Sequence, residues 1–329
     1  VLSAFFILAA NSWMQHPVGF TIDAEQKRAE LTSIGAVLTN STLWVTFPHT
    51  IAGAFMTAGV FVLAVAAWHL VRKNEVELFR PAARIAMVVT FVASIAVAVS
   101  GDAQAKLMTE QQPMKMAAAE ALWDDQQPAS FSLFTIGSLD GDKEVWSLRV
   151  PKLLSFLATG SFDGKVEGIN GVQAKEVAAY GAADYRPNLP VTYWTFRLMI
   201  GFGAVSALLA AAGLWLTRRR RLPASPWFYR LAVLSVGAPF LANSTGWIFT
   251  EMGRQPWVVY GVMPTSSAVS PGVGAGTVLT SLVVYTVLYA VLAFIEVRLL
   301  LGFIRKGPDE LTPAEADADA PVGVAAFSY

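Results

Sequence analysis

Long apolar runs recur along the chain at residues 46–71, 83–101, 193–217, 226–250 and 274–302. A helix of about 20 apolar residues crosses the hydrocarbon core of a bilayer, so each run predicts one complete transmembrane helix. The opening VLSAFFILAA reaches only to Asn11. That is too short to span, and it lacks the basic start and small-residue cleavage site of a signal peptide. Residues 1–14 are therefore expected to be the tail of a span that begins upstream. The pattern predicts an all-α, polytopic transmembrane helix bundle with five complete spans and one truncated N-terminal span.

The polar connections orient these spans. Arg72, Lys73, Arg80 and Arg84 cluster at one turn, Arg218 to Arg221 form a block, and Arg305 and Lys306 follow the last run. Strict alternation puts all three sites on one side, which the positive-inside rule makes cytoplasmic. The segment 102–190 then lies outside the cell membrane. It is too long for a simple connection, and its helix-forming MKMAAAEALW and short apolar runs such as FSLFTIGSL predict a folded cap. Residues 307–329, acidic and rich in Ala and Pro, are expected to be a disordered cytoplasmic tail. The organisation expected is thus membrane helices over 1–101, an outer segment over 102–190, membrane helices over 191–306, and the tail.

Composition agrees and narrows the chemistry. Of 329 residues, 54% are hydrophobic and 15% charged, against roughly 25% charged in soluble domains. The net charge is zero, so no strong field draws in nucleic acid. The absence of cysteine excludes disulfides, thiolate-bound zinc and cysteine-ligated iron–sulfur clusters. His, Met, Asp and Glu are left as metal ligands.

Three runs deliver such residues to one depth near the outer surface. His49 lies one turn into the first complete span, Arg197 and Met199 one turn into the third, and Trp247 and Glu251 at the outer end of the fourth. Ionisable groups inside spans are costly and mark function. Histidine with methionine is the axial pair of a low-spin haem, and a lone carboxylate suits a high-spin iron. The residues alone also admit plainer roles: His49 as an interfacial hydrogen-bonding group, Met199 as packing, and Glu251 as the surface partner of Arg254. His69, beside Trp68 at the inner end of its span, reads as an interfacial anchor. GVGAGT at 272–277 lacks the lysine of a phosphate loop and reads as close helix packing.

The stretches NSWMQHP (11–17), FPHTIAGAF (47–55), QPMKMAAAEALW (112–123), YWTFRLM (193–199) and GWIFTEMGRQPW (246–257) together resemble subunit I of cytochrome bd-type quinol oxidases. GRQPW is a specific signal, and the resemblance covers nearly the whole chain except the tail. It implies that His49 and Met199 are the axial ligands of a low-spin haem b, and that Glu251 ligates a high-spin haem b. Trp247 would stand between cofactors, and Arg254 and Arg197 would lie near haem propionates. Arg197 sits about 200° around a helix from Met199, so its contact would need a long reach or another haem. Lys115 and Glu120 fall at positions tied to quinol binding and oxidation, in a loop of the short-insert form.

The resemblance further implies electron flow through the haems b to haem d, reduction of oxygen to water, and charge separation without pumping. It implies a second membrane subunit, small single-span subunits, and residence in the bacterial cytoplasmic membrane. The family carries three further helices and the start of a fourth before the first residue here, with the histidine of the oxygen-reducing haem among them. Two other classes compete on the pattern of spans: a quinol-binding haem b anchor that hands electrons to a partner, and a multi-span transporter.

Overall fold

The computed structural model describes residues 1–308 other than 24, 26, 27, 139–142 and 222–224. Most of the expected tail (309–329) lies outside the described residues. Helix α1 (Leu2–Gln15) leads into a hairpin of β1 (Phe20–Asp23) and β2 (Arg28–Leu31) and a short α2 (Ile34–Leu38). Two long helices follow, α3 (Ser41–Val71) and α4 (Val76–Gln111). The segment expected to lie outside holds α5 (Pro113–Ala119), the antiparallel pair β3 (Phe131–Gly137) and β4 (Glu144–Val150), α6 (Leu153–Thr159) and α7 (Ile169–Tyr180). The chain returns through α8 (Leu189–Leu216), α9 (Pro226–Leu234) and α10 (Gly237–Met252), then a short pair of β5 (Trp257–Val259) and β6 (Met263–Pro264). Residues from Ser270 onward form a separate unit whose one long helix is α11 (Ala275–Lys306).

Among the described residues, five segments are long and apolar enough to cross a membrane: Ser41–Val71, Val76–Gln111, Leu189–Leu216, Pro226–Met252 and Ala275–Lys306. The all-α, five-span expectation stands, with two changes of boundary. Helix α4 has 36 residues, about 54 Å at 1.5 Å per residue, so it runs well past the 30 Å core of a bilayer. Its last turns, GDAQAKLMTEQ, are polar yet strong in helix formers. Hydropathy stops there while the helix does not, so the helix ends at Gln111 rather than at 101. The fourth span is two helices, interrupted at Ser235 and Val236. Pro239 explains the break, because its ring has no N–H for the Ser235 carbonyl and collides with it.

The inner ends of α3, α4 and α9 pack through Leu63, Ala67, Leu70, Ala86, Met87 and Ala232. Alanines dominate because helix contacts in lipid depend on close backbone approach. His69 belongs to this core and is not an interfacial anchor. It is buried, stacks on Phe79 at 4.0 Å and shares a 2.9 Å hydrogen bond with Asn74. The tight turn after α3 folds the first turn of α4 back over the imidazole. At the other end, Asn40 caps α3 by accepting from the Thr42 amide at 2.9 Å. Its amide nitrogen also donates to the His16 carbonyl at 2.8 Å. That residue locks the end of α1 to the start of α3, two turns before His49.

Candidate cofactor site

Between α1, α3, α4, α8 and α10 lies a partly open cavity with about 1330 Å³ of empty space. Its walls include His49 from α3, Met199 and Phe196 from α8, Trp247 from α10, and Lys115 from α5. Two helices about 150 residues apart in sequence therefore bring the imidazole and the thioether to one chamber. Pro48 precedes the histidine inside α3, and its missing N–H leaves the Trp44 carbonyl without a helical partner.

The hydrogen bonds around His49 select its tautomer. The Ser100 hydroxyl donates to the Ala96 carbonyl at 2.6 Å. Having spent its proton there, Ser100 Oγ accepts from His49 Nδ1–H at 3.1 Å. In that tautomer the lone pair resides on Nε2. A second-group contact that fixes the ring and frees the other nitrogen is how proteins prepare an imidazole for a metal. Glycines make the room. A Cβ at Gly101 would come 3.4 Å from His49 Cε1, and one at Gly246 would come 2.9 Å from Met199 Sδ.

Among the described residues no three His, Asp or Glu side chains converge as a site for a bare ion. The donor set instead suits an iron already held in a macrocycle, which asks the protein for only one or two axial ligands.

Glu251 lies beside this chamber and not on its wall. Its carboxylate accepts from Asn11 Nδ2 at 2.9 Å and from Arg254 Nη2 at 2.5 Å. The Glu251 side chain is 40% exposed while that of Arg254 is 4% exposed. A carboxylate has about four lone-pair positions, so two acceptances leave capacity for a further ligand on the open side. Arg254 is richer in unused donors. Its Nε and Nη1 are buried and unpartnered among the described residues, which fits an anionic group such as a carboxylate arriving there.

Arg197 turns the other way from Met199. Its Nη2 donates to Glu120 Oε2 at 2.6 Å, and its guanidinium lies over the rings of Phe131 (4.6 Å), Tyr193 (4.9 Å) and Phe196 (5.1 Å). Positions 197 and 199 occupy different faces of α8, and the face of 197 meets the outer segment. Its Nε and Nη1 are also buried without partners among the described residues.

Glu120 is 1% exposed. Burial pushes its carboxyl above the usual range, against the pull of Arg197 and the Ser132 amide at 3.4 Å. Lys115, five residues earlier on α5, points to another side, as 500° of helical rotation requires. Its Nζ donates to Gln15 Oε1 at 3.2 Å and to the Thr250 carbonyl at 3.1 Å. Burial first, and repulsion from Arg254 second, bring its pKa down to about 7. The structure thus joins His49, Met199, Trp247 and Lys115 at one chamber, sets Glu251 and Arg254 at its edge, and pairs Glu120 with Arg197 apart from it.

Ser100, Gly101, Gly246 and Asn40 were not legible as site residues. Ser100 and Gly101 share the depth of His49, but small residues in an apolar run carry no chemistry by themselves.

Comparison with known proteins gives the lineage. The family model described as cytochrome bd terminal oxidase subunit I matches residues 1–308. The cytochrome bd ubiquinol oxidase subunit 1 of Bacillus subtilis (strain 168) is 44% identical over 329 residues, spanning 100% of this chain and 69% of that protein. The cytochrome bd-II ubiquinol oxidase subunit 1 of Escherichia coli (strain K12) is 29% identical over 94% of this chain and 71% of its own length. The solved bd oxidase of Geobacillus thermodenitrificans superposes with a TM-score of 0.81 at 29% identity, covering 93% of this chain and 67% of that one. A matched length of this extent, on a helix bundle with an imidazole and a thioether facing one chamber, leaves a single conclusion: the chain belongs to the cytochrome bd terminal oxidase subunit I family.

Proposed function

We propose that the chain is the quinol-oxidising, haem-bearing subunit of a terminal oxidase in a bacterial membrane, with its outer segment on the extracytoplasmic side. The observation that carries this reading is the shared chamber of His49 and Met199, with the lone pair on Nε2 and the ring held by Ser100. Low-spin haem b, high-spin haem b and haem d, when bound, supply one-electron transfer and an open iron position for oxygen. His49 and Met199 would hold the low-spin haem b, and Glu251 would hold the high-spin one. Trp247 lines the chamber and would stand between the two. The unused N–H groups of Arg254 suit a propionate. A second membrane subunit and small single-span subunits would complete the assembly.

The chain's own work is proton handling and positioning. Quinol gives up two protons with its two electrons, so its oxidation needs a base that is empty when the hydroxyl reacts. Arg197 favours the carboxylate form of Glu120, against a burial that remains the larger influence and keeps the carboxyl raised overall. A proton taken on Glu120 Oε weakens its bond to Arg197, which favours passing the proton on. The Phe131, Tyr193 and Phe196 rings around the guanidinium exclude water from the pair. With protons of quinol released outside and those for water drawn from the cytoplasm, the reaction separates charge without a pump.

Glu120→Gln tests this. Quinol turnover is expected to fall about 100-fold, the lower end for a positioned proton acceptor. An artificial one-electron donor should reduce the haems at the wild-type rate. Equal quinol turnover in variant and wild type would remove Glu120 from the reaction. Gly246→Val supplies a second check in the same spectra. The added branches meet Met199 Sδ, already 2.9 Å from a bare Cβ, so the low-spin b band is expected to shift or weaken while membrane insertion is retained.

A further inference from the structure

A second, smaller chamber shares a wall with the first. Gln112 and Lys115 line both, and Glu176, Arg254, Trp257 and Tyr260 line the small one, which is about the size of a single water. We propose that this chamber is the outlet for protons released at the quinol site, with a bound water as its filling and the Glu176 carboxylate as the group that holds the proton in transit. The inference rests on the quinol-oxidising reading above and adds a residue and a route to it.

Glu176 is a built acceptor. It is 5% exposed on α7, and its Oε1 accepts from the Tyr260 hydroxyl at 3.0 Å. Its Oε2 is buried with no partner among the described residues, as is Trp257 Nε1. A carboxylate oxygen and an unspent N–H donor around a small polar space are the setting in which one ordered water makes its bonds. Neither oxygen is locked by a cation, in contrast with Glu120 and its bond to Arg197.

The charge environment suits a carrier. The groups facing Glu176 are Lys115 from α5, Arg254 after α10, Tyr260 from the β5–β6 turn, and Tyr180 and Tyr185 from the end of α7 and beyond. Burial raises the carboxyl to about 7, opposed by the Tyr260 hydrogen bond. The same surroundings push Tyr180 and Tyr260 up, so both phenols stay neutral. A carboxyl near 7 accepts and releases a proton with almost no free-energy step at neutral pH. The transfer balances simply: a proton on the chamber water adds to Oε2, and the carboxyl then loses one proton to outer water near the exposed Tyr180, restoring the carboxylate. No electron moves and only O–H bonds change.

The test uses the assembled oxidase. Infrared difference spectra between about pH 5 and pH 9 should show a buried carboxylic C=O band that is present below 7, fades through 7, and is missing in Glu176→Gln. Quinol turnover in that variant should drop about 100-fold and lose the limb of its pH profile near 7, with artificial-donor reduction unchanged. Glu176→Asp should restore part of the rate. Tyr260→Phe removes the bond that favours the carboxylate, so band and limb should both move to higher pH. Identical pH profiles and infrared titrations in wild type and Glu176→Gln would overturn the outlet. A wild-type complex with no haem and no quinol turnover would overturn the parent reading, and the outlet with it; failure of the variant comparison in an active wild type would sink the outlet alone.

Discussion

His49→Ala is expected to abolish the low-spin b-type absorption of the purified protein, and Met199→Leu to convert it to a high-spin spectrum. The two differ because the ligands differ. The imidazole is the stronger donor, and Ser100 holds it with Nε2 toward the chamber. Without it, the thioether alone is a poor anchor for iron. Loss of the thioether would leave His49 as the one protein ligand of the proposed pair, with a lower potential because the soft sulfur would no longer favour the reduced iron. Ser100→Ala should be milder, about 10–100-fold in haem retention, the usual effect of removing a group that orients a ligand. Optical and paramagnetic resonance spectra of membranes that contain equal amounts of inserted protein decide the matter. An unchanged low-spin signal in both His49→Ala and Met199→Leu would refute the ligand assignment.

Arg197→Met should be the most damaging change outside that chamber. Its partner Glu120 is 1% exposed, the Arg197 side chain 9%, so the remaining carboxylate would be left buried and unpaired. Breaking such a pair from one side costs about 3–5 kcal/mol. The carboxyl escapes part of this by keeping its proton: Arg197 is the strongest pull on its pKa downward, and with Arg197 gone only the Ser132 amide and Arg149 oppose burial. A protonated Glu120 cannot take a proton from quinol. Thermal stability and quinol turnover should therefore fall together, while Arg197→Lys loses turnover with less loss of stability. The double variant Glu120→Gln with Arg197→Met should recover stability without recovering turnover, because the stranded charge is gone but the base is too. Thermal unfolding followed beside steady-state turnover separates these outcomes. Normal turnover in Arg197→Met would show that the pair is structural only.

The spans were readable because lipid imposes its demand locally. Every backbone group in the hydrocarbon must bond within its own segment, so length and apolarity alone mark a crossing helix. Boundaries were less legible where that demand ends. The polar turns of α4 up to Gln111 leave the apolar core but keep their helix formers, and hydropathy cannot see them. His69 misread for a related reason, since proximity to a helix end says nothing of what folds over it, here Phe79 and Asn74.

Which residue types bear chemistry was equally plain: with no cysteine and three histidines in 329 residues, the list of iron ligands was short before any coordinates. Their partnerships were decided by the fold. Arg197 meets Glu120, 77 positions away, Lys115 meets Gln15 across 100, and Glu251 meets Asn11 across 240. No periodicity spans such separations, because each contact depends on how α1, α5, α8 and α10 pack together. Glu176 is the clearest case. Along the chain it is one acid in a short polar helix, and only the packing of Tyr260, Trp257 and Arg254 around it removes water from its carboxyl and leaves one oxygen free.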